Sequence, residues 1–428
     1  MMVIQGRAYY RGELQALALG VEDGVIRQIR KTLRGDERHD FGDRILLPGG
    51  VDVHVHFRDP GLTHKEDFFT GSEAAAVGGI TSVLDMPNTQ PHATTADRLR
   101  EKRAAVSRKA NVDFGLFGGV LNAADLPRLE PYCHAFKFYW AESFGGLAGS
   151  EDALPEILGT LGETARPLTV HAEDPSAFTP RTEESLADHH EARGGATAEK
   201  SALRKLVSWH RAGRVHVAHL SSHAGLRTLR GAHVSVEVTP MHLLLDVTAE
   251  LGTRGKVNPP LRPPEQRKGL WKAFARGRID VLATDHAPHT LEEKAQKFDV
   301  APPGAPNVET VYPLMFARVQ RGELPLDVLV RTLSRRPAAL FGLRGKGALE
   351  VGMDADIAVF DPRNRTPVHA RDLHSKAGWT PFEGWEGIFP TATFVRGTLV
   401  AEGGELEEDR QGQWIPLTGA EGPGPGVP

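Results

Sequence analysis

Two histidines stand two residues apart in the segment VDVHVHF, at His54 and His56. In a β-strand, side chains two positions apart point to the same face, so both imidazoles would share one environment. Buried imidazoles need hydrogen-bond partners, and a divalent metal ion is one group that can satisfy a pair of them. Two polar residues on a solvated strand face are the alternative that this pair alone leaves open.

Four more polar side chains lie near the ends of apolar runs: Lys137 in HAFKFYW, His171 in LTVHAED, His219 in VHVAHLSS and Asp285 in VLATDHAPH. Chance would scatter such residues over both ends of the runs and over the loops. If the runs are neighbouring strands, four imidazoles, one carboxylate and one lysine meet at the same end. That set predicts two divalent ions in a shared site.

The lysine in this set has two interpretations. Burial beside two cations would lower the pKa of the Lys137 amine, and a neutral amine can add carbon dioxide to give a carbamate. Such a carbamate is anionic and has two oxygens, so it could bridge two metal ions. An ion pair between Lys137 and a carboxylate across the barrel is the other interpretation, and spacing alone does not decide between them.

Several other histidines and the single cysteine are expected to have structural rather than catalytic roles. His189 lies in polar sequence and is expected to be solvated, and His216 has the opposite parity to His219 and is expected to pack outward. His242 is expected to cap a loop, and an approach to a metal ion is the alternative. Cys133 precedes an apolar strand and is expected to be a small buried residue rather than a nucleophile.

The elements that must position these residues begin at about Gly50. From there, short apolar runs alternate with helical patterns of roughly 10–15 residues, which is typical of βα units around a parallel sheet. The predicted strands are Gly50–Phe57, Ile80–Met86, Val112–Val120, His134–Trp140, Pro167–Ala172, Arg214–Leu220, His233–Val238 and Ile279–Thr284. Eight such units predict an α/β fold, a (β/α)8 TIM-type barrel, whose active site would lie at the carboxyl ends of the strands. An open doubly wound sheet is the alternative, but Gly50–Asp59 lacks the glycine-rich phosphate loop of that fold.

The two ends of the chain have similar sequence patterns, in which short strand-like apolar segments alternate with turns. We expect residues 1–49 and 346–415 to form one small composite β domain beside a metal-dependent barrel of residues 50–345. Residues 416–428 end in GAEGPGPGVP, which is too poor in apolar residues to pack, and they are predicted to be a disordered tail.

Composition narrows the class of protein. The 428 residues are 40% hydrophobic and 25% charged, as in ordinary globular proteins. With 51 basic and 55 acidic residues, the net charge of -4 argues against nucleic acid or an anionic membrane as partner. One cysteine excludes an internal disulfide and favours the cytoplasm, and the start of the chain does not resemble a signal peptide.

From about Leu46 to Gly397 the chain resembles the dihydroorotases of the cyclic amidohydrolase superfamily. The motifs that carry the resemblance are DVHVHFRDPG, KEDFFTGSEAAAVGGITSVLDMPNTQP, LTVHAED, HVAHLSS, EVTPMHLLL, KVNPPLRP, ATDHAPHTLEEK, NVETVYPL and GKGALEVGMDADIAVFD. The resemblance implies two Zn²⁺ ions per chain, bridged by carboxylated Lys137. It assigns one ion to His54, His56 and Asp285, and the other to His171 and His219.

The resemblance also implies a reaction. This is the reversible hydrolysis of the ring amide of (S)-dihydroorotate to N-carbamoyl-L-aspartate, in pyrimidine biosynthesis, by metal-activated water with Asp285 as general acid and base. The implied substrate-binding residues are Arg58, Asn88, Asn258, His289, Ser143, Phe144, Pro303 and Gly304, with Ser143 and Phe144 on a mobile loop. For partners it implies a small-molecule substrate and a homodimer, and it allows assembly with aspartate transcarbamoylase.

Arg58 and Asn88 are the residues that distinguish dihydroorotases from other cyclic amidohydrolases. A guanidinium and an amide in one pocket suit the carboxylate of dihydroorotate, which hydantoin and allantoin rings lack. Two positions depart from the common bacterial pattern: Lys137, where many members have aspartate, and Met241, where many have a second histidine. A hydantoinase-like or allantoinase-like cyclic amidase and a non-catalytic partner of aspartate transcarbamoylase are the alternative functions.

Overall fold

The computed structural model of the protein describes residues 1–142, 146–407 and 411–418. Its strands are β1 (Met2–Tyr10), β2 (Glu13–Glu22), β3 (Val25–Arg30), β4 (Glu37–Pro48), β5 (Gly50–Val55), β6 (Ile80–Asp85), β7 (Asp113–Gly119), β8 (Ala135–Tyr139), β9 (Leu168–His171), β10 (Val215–Val217), β11 (Ser235–Val238), β12 (Val281–Leu282), β13 (Ile357–Phe360), β14 (Thr366–Pro367), β15 (Glu386–Gly387), β16 (Pro390–Val395), β17 (Thr398–Glu402) and β18 (Glu405–Leu406).

The α-helices lie mostly between and after the central strands. They are α1 (Phe68–Val77), α2 (Ala96–Val106), α3 (Asp125–Leu129), α4 (Leu154–Thr160), α5 (Leu186–Ala192), α6 (Gly195–Trp209), α7 (His223–Thr228), α8 (Pro240–Leu244), α9 (Pro264–Ala275), α10 (Leu291–Lys294), α11 (Val311–Gln320), α12 (Leu326–Val330) and α13 (Arg336–Phe341). In the described ranges, no helix combines the length and the apolar character needed to cross a membrane.

Strands β5 to β12 form one parallel sheet in sequence order, each strand paired with the next. The sheet curls round so that Val55 at the end of β5 forms a parallel bridge with His286, just after β12. The backbone N–H of His56 donates to the His286 carbonyl at 2.8 Å and continues this closure. The prediction of a TIM-type barrel is confirmed, and every predicted barrel strand is present, although β10 and β12 are shorter than expected.

A second sheet has the strand order β18-β17-β16-β13-β4-β1-β2-β3, so it combines strands from both ends of the chain. Strand β4 runs parallel to β1 on one side and antiparallel to β13 on the other. Strand β1 was not predicted from the sequence, because its apolar residues alternate irregularly. The proposed domain boundaries remain a prediction, and Gly419–Pro428 of the predicted tail lie outside the described residues.

The last described segment packs on the barrel. The backbone N–H of Ile415 donates to the Phe114 carbonyl on β7 at 2.9 Å, and Phe114 N–H donates to the Gln413 carbonyl at 2.9 Å. The Ile415 side chain is 2% exposed and packs in an apolar cluster with Val53 of β5 and Phe341 of α13. It therefore helps to fill the barrel interior.

Because Ile415 is buried, Ile415→Ala is expected to lower the free energy of unfolding by about 2–5 kcal/mol, through lost transfer energy and the cavity left behind. Urea denaturation followed by circular dichroism measures this loss. Val351→Ala is the control, because Val351 is 60% exposed and should change stability by less than about 0.5 kcal/mol. Equal stability of the two variants would contradict the packing role of Ile415.

Candidate active site

The two ends of the barrel sheet are joined by a buried carboxylate. Asp52 on β5 accepts hydrogen bonds from the backbone N–H of His54 at 3.1 Å and of Thr284 at 3.1 Å. Thr284 immediately precedes Asp285, whose φ of +47° is unusual for a residue other than glycine. Asp52 therefore fixes His54 and Asp285 relative to each other at the carboxyl end of the barrel.

His54, His56 and Asp285 form the first group of candidate metal ligands, with ligand atoms within 4.8 Å of one another. Oδ1 of Asp285 lies 3.4 Å from His54 Nε2 and 3.2 Å from His56 Nε2. Behind them, Glu237 accepts from Nδ1 of His54, and Asn88 Oδ1 accepts from Nδ1 of His56 at 2.6 Å. These bonds fix the ring orientations and leave both Nε2 lone pairs directed at the space beside Asp285.

His171 and His219 form the second group. His171 Nδ1 lies 3.0 Å from His219 Nε2, and His171 Nε2 donates to Glu173 Oε2 at 2.8 Å. Burial lowers the pKa of both imidazoles, so they are neutral, the form that binds metal ions. Among the described residues, no hydrogen-bond partner reaches Nδ1 of His219.

Lys137 lies in the barrel interior beside both groups. It is 1% exposed, and its Nζ has no hydrogen-bond partner in the described part of the chain. Burial lowers its pKa to about 8, while the charges of Glu237 and Asp285 oppose that shift. A buried amine without a partner is costly, and a cation-bound carbamate would satisfy it. The five other candidate ligands and this orphaned amine therefore fit a divalent metal centre.

The charge of Asp285 suits proton transfer. Burial alone would raise the pKa of its carboxyl group, but His54 and His56 more than offset this, and the pKa lies below its usual value. Asp285 is thus ionised at neutral pH and can accept a proton.

A cavity opens above these groups. Its lining residues are His54, His56, Arg58, Asn88, Tyr139, His171, His219, Asn258, Asp285, Ala287, Pro303 and Gly304. All the predicted site residues in the described ranges line it except Lys137, which lies deeper, and His289. Ser143 and Phe144 lie outside the described residues.

Arg58 and His289 stand together at one side of this cavity. Arg58 is 2% exposed, donates from Nε to the Pro288 carbonyl at 3.2 Å and has its Nη2 3.3 Å from His289 Nε2. Burial lowers the pKa of Arg58 to about 10, so the guanidinium remains charged at neutral pH. His289 is completely buried and contacts the Pro303 carbonyl at 3.1 Å, so it supports the cavity from behind. The cavity thus places a cation beside the candidate metal ligands.

Sequence reasoning missed several supporting residues. Glu237 holds His54 and also contacts His216 Nε2 at 3.0 Å, and Glu173 holds His171 while it accepts from Arg193 at 2.6 Å. The only signal in the sequence was the proximity of Glu173 to His171 in LTVHAED. Glu237 joins histidines from distant parts of the chain, which spacing does not reveal.

Three histidine interpretations were wrong, and one of them concerns His190, which was expected to be solvated and is 7% exposed. His216 is 1% exposed and contacts Glu237 inside the barrel, because β10 ends at Val217 and the φ of +35° at His219 breaks strand alternation. His189 is 3% exposed rather than solvated, and its Nε2 lies 2.9 Å from the side-chain amide of Asn258. His189 therefore supports a residue that lines the cavity.

The chain is similar to known proteins over most of its length. The model of the amidohydrolase family matches residues 45–400. A dihydroorotase from Methanosarcina acetivorans is 39% identical over 424 residues, covering 92% of this chain and 90% of that protein. A dihydroorotase from Halobacterium salinarum is 40% identical over 412 residues, covering 94% of this chain and 97% of that protein.

Solved structures agree in fold. L-Hydantoinase from Arthrobacter aurescens superposes with a TM-score of 0.91 at 30% identity, covering 97% of this chain and 99% of that one. D-Hydantoinase from Thermus sp. has a TM-score of 0.86 at 24% identity. The family match spans the whole barrel and reaches into strands of the composite sheet, so the chain belongs to the amidohydrolase family.

Proposed function

We propose that the protein is a dihydroorotase, which interconverts (S)-dihydroorotate and N-carbamoyl-L-aspartate in the biosynthesis of UMP. The observation that carries this proposal is the buried, charged guanidinium of Arg58 in the same cavity as Asp285 and the histidine ligands. A buried cation at this place suits a substrate with its own carboxylate next to the ring amide. The named relatives at about 40% identity support the same substrate.

The proposed metal centre holds two Zn²⁺ ions. His54, His56 and Asp285 would hold one ion, His171 and His219 would hold the other, and carboxylated Lys137 would serve as a ligand to both. When bound, the ions would supply an activated water and polarise the ring carbonyl.

The chain's own residues bind the substrate and move the proton. Arg58 and Asn88 hold the substrate carboxylate, and Asn258 with the backbone of Pro303 and Gly304 lines the ring. His289 orients the Arg58 guanidinium from behind, and its direct contact with the substrate stays a prediction. Asp285 takes a proton from the attacking water and delivers it to the departing ring nitrogen. Fixing the carboxylate places the ring amide over Asp285, and such positioning supplies a large part of the rate. Ser143 and Phe144 remain predicted substrate contacts.

A hydantoinase-like cyclic amidase is the second candidate, because the matching solved structures carry that name and share the fold. A hydantoin ring has no carboxylate for Arg58 to bind, which favours dihydroorotate. A non-catalytic scaffold is disfavoured, because all six candidate metal ligands are present.

Turnover of dihydroorotate, hydantoin and allantoin by the purified protein tests the proposal, with zinc measured on the same sample. We expect dihydroorotate to be the preferred substrate and about two zinc ions per chain. Preference for hydantoin would support the second candidate, and a protein without metal or turnover would support the scaffold.

Removal of a ligand should separate metal binding from folding. His54→Ala and His171→Ala are each expected to lower zinc content and abolish turnover with little unfolding, because residues at the strand ends serve function more than packing. Elemental analysis and thermal denaturation measure the two effects. Full activity with normal zinc in either variant would contradict the ligand assignment.

We propose a homodimer in the cytoplasm, and we retain assembly with aspartate transcarbamoylase as a prediction. Light scattering of the protein, alone and mixed with a transcarbamoylase from the same source, measures both assemblies.

A further inference from the structure

We propose that Lys294 is a positioning residue that sets the ring-facing wall of the cavity and thereby the strength of substrate binding. The inference rests on the proposed dihydroorotase function and assigns a role to the last residue of the motif HTLEEK. The wall consists of Pro303 and Gly304, which line the cavity. Lys294 lies at the end of α10 and is not one of the residues that line the cavity.

The contacts of Lys294 are unusual for an ammonium group. The residue is 2% exposed, and its Nζ donates to the carbonyl oxygens of Pro302 at 2.9 Å, Gly304 at 3.1 Å and Lys256 at 3.3 Å. Within the described residues, no carboxylate forms an ion pair with it. Three backbone dipoles from the cavity wall and its neighbour therefore hold this charge.

These bonds fix the direction of each peptide group in the wall. The Pro302 and Gly304 carbonyls turn toward Lys294, whereas the Pro303 carbonyl between them contacts His289 Nε2 at 3.1 Å. The Gly304 N–H donates to the Lys256 carbonyl at 2.9 Å. Lys294 thus holds the carbonyl groups on either side of Pro303 in a fixed direction.

The backbone of this wall can adopt few other positions. Gly304 has a φ of +139°, and a Cβ at this position would lie 2.4 Å from the Ala287 carbonyl oxygen. The backbone is therefore pressed against the loop that follows β12. Lys294 holds this close approach from the outer side.

Lys294 is also connected to the carboxylate-binding side of the cavity. Its Nζ lies 5.5 Å from the centre of the Trp379 ring, and Trp379 Nε1 donates to the His289 carbonyl at 2.8 Å. Burial lowers the pKa of Lys294 to about 7, with the charge of Lys256 acting in the same direction. An apolar side chain would avoid this cost but would leave the wall carbonyls without donors.

The test compares Lys294→Met with Lys297→Met, an exposed lysine three residues further along the chain. In Lys294→Met we expect the KM for dihydroorotate to rise by about tenfold or more, which corresponds to about 1.4 kcal/mol of binding. A loosened wall weakens ground-state and transition-state binding alike, so kcat and zinc content should stay within about twofold of the parent values. Lys297→Met should match the parent in all three measurements.

Lys294→Gln provides a second variant, because its amide can still donate to part of the wall. Its KM is expected to lie between those of the parent and Lys294→Met. An unchanged KM in folded Lys294→Met, or a fall in kcat alone, would overturn the inference. If Lys294→Met does not fold, an unchanged KM in Lys294→Gln overturns it, and so does misfolding of both variants, because the lysine would then act on folding alone.

The outcome for the parent protein separates the two proposals. A parent that does not turn over dihydroorotate overturns the proposed function, and the inference with it. An active parent whose Lys294 variants keep the parent KM overturns only the inference.

Discussion

Arg58→Met is expected to lower kcat/KM for dihydroorotate by about two to three orders of magnitude while zinc content and folding stay normal. Methionine keeps much of the length of the side chain and removes the charged fork. Truncating one partner of a buried charged contact costs about 2–5 kcal/mol, and each 1.4 kcal/mol is a tenfold change. Steady-state kinetics over a range of dihydroorotate concentrations measure the loss.

Arg318→Met is the matched control for this experiment. Arg318 is also a buried arginine, 8% exposed, and donates to the Leu314 carbonyl on α11 rather than lining the cavity. Any stability lost with a buried guanidinium should appear in both variants, but the kinetic loss should appear only at Arg58. An unchanged kcat/KM in Arg58→Met would remove the argument for a carboxylate substrate and favour the hydantoinase-like candidate.

Lys137→Ala is expected to lose most bound zinc and nearly all activity, and short carboxylic acids in solution should restore part of both. The expectation follows from the orphaned, buried Nζ and from its lowered pKa, which increases the share of neutral amine able to take up carbon dioxide. An added acetate or propionate could occupy the space of the missing carbamate. Zinc content and turnover, measured with increasing acid, follow the rescue.

His171→Ala in the same acids is the control, because a carboxylate at the Lys137 position cannot replace the lost imidazole. Lys137→Asp is not equivalent to the parent, because its shorter side chain reaches less far into the barrel. A crystallographic map gives a direct check through three extra atoms beyond Nζ, with oxygens about 2.0–2.2 Å from each ion. A bare ammonium with metals at the other five ligands would refute the bridge and leave the substrate argument from Arg58 intact.

Much of the fold, and the grouping of the candidate ligands at one end of the barrel, could be predicted because both follow from local periodicity. Apolar runs separated by helical patterns marked the barrel strands, and side chains at the ends of parallel strands meet at one edge. His54 and His56 could be paired because they lie two residues apart at the end of β5, and the centres of their rings are 5.3 Å apart in the structure. The same rule failed for His216 and His219, because β10 ends between them.

The supporting contacts could not be predicted, because they depend on the tertiary structure. Glu237 reaches His54 across a separation of 183 residues, and no local pattern marks such a pair. Helix α10 spans only Leu291–Lys294, too short for an amphipathic period, so the burial of Lys294 left no trace in the sequence. The sequence alone identified the reactive groups, but it did not identify the residues that orient them through hydrogen bonds.

The position of β4 between β1 and β13 has a consequence for synthesis on the ribosome. β13 emerges about 300 residues after β4, which is about 15–60 s at the usual rates of translation. Until then, the side of β4 that later pairs with β13, from Ile45 to Pro48, presents open backbone groups and apolar side chains, a template for association with other chains. Nascent chains and fragments that end before Ile357 should therefore be the forms that aggregate or need a chaperone.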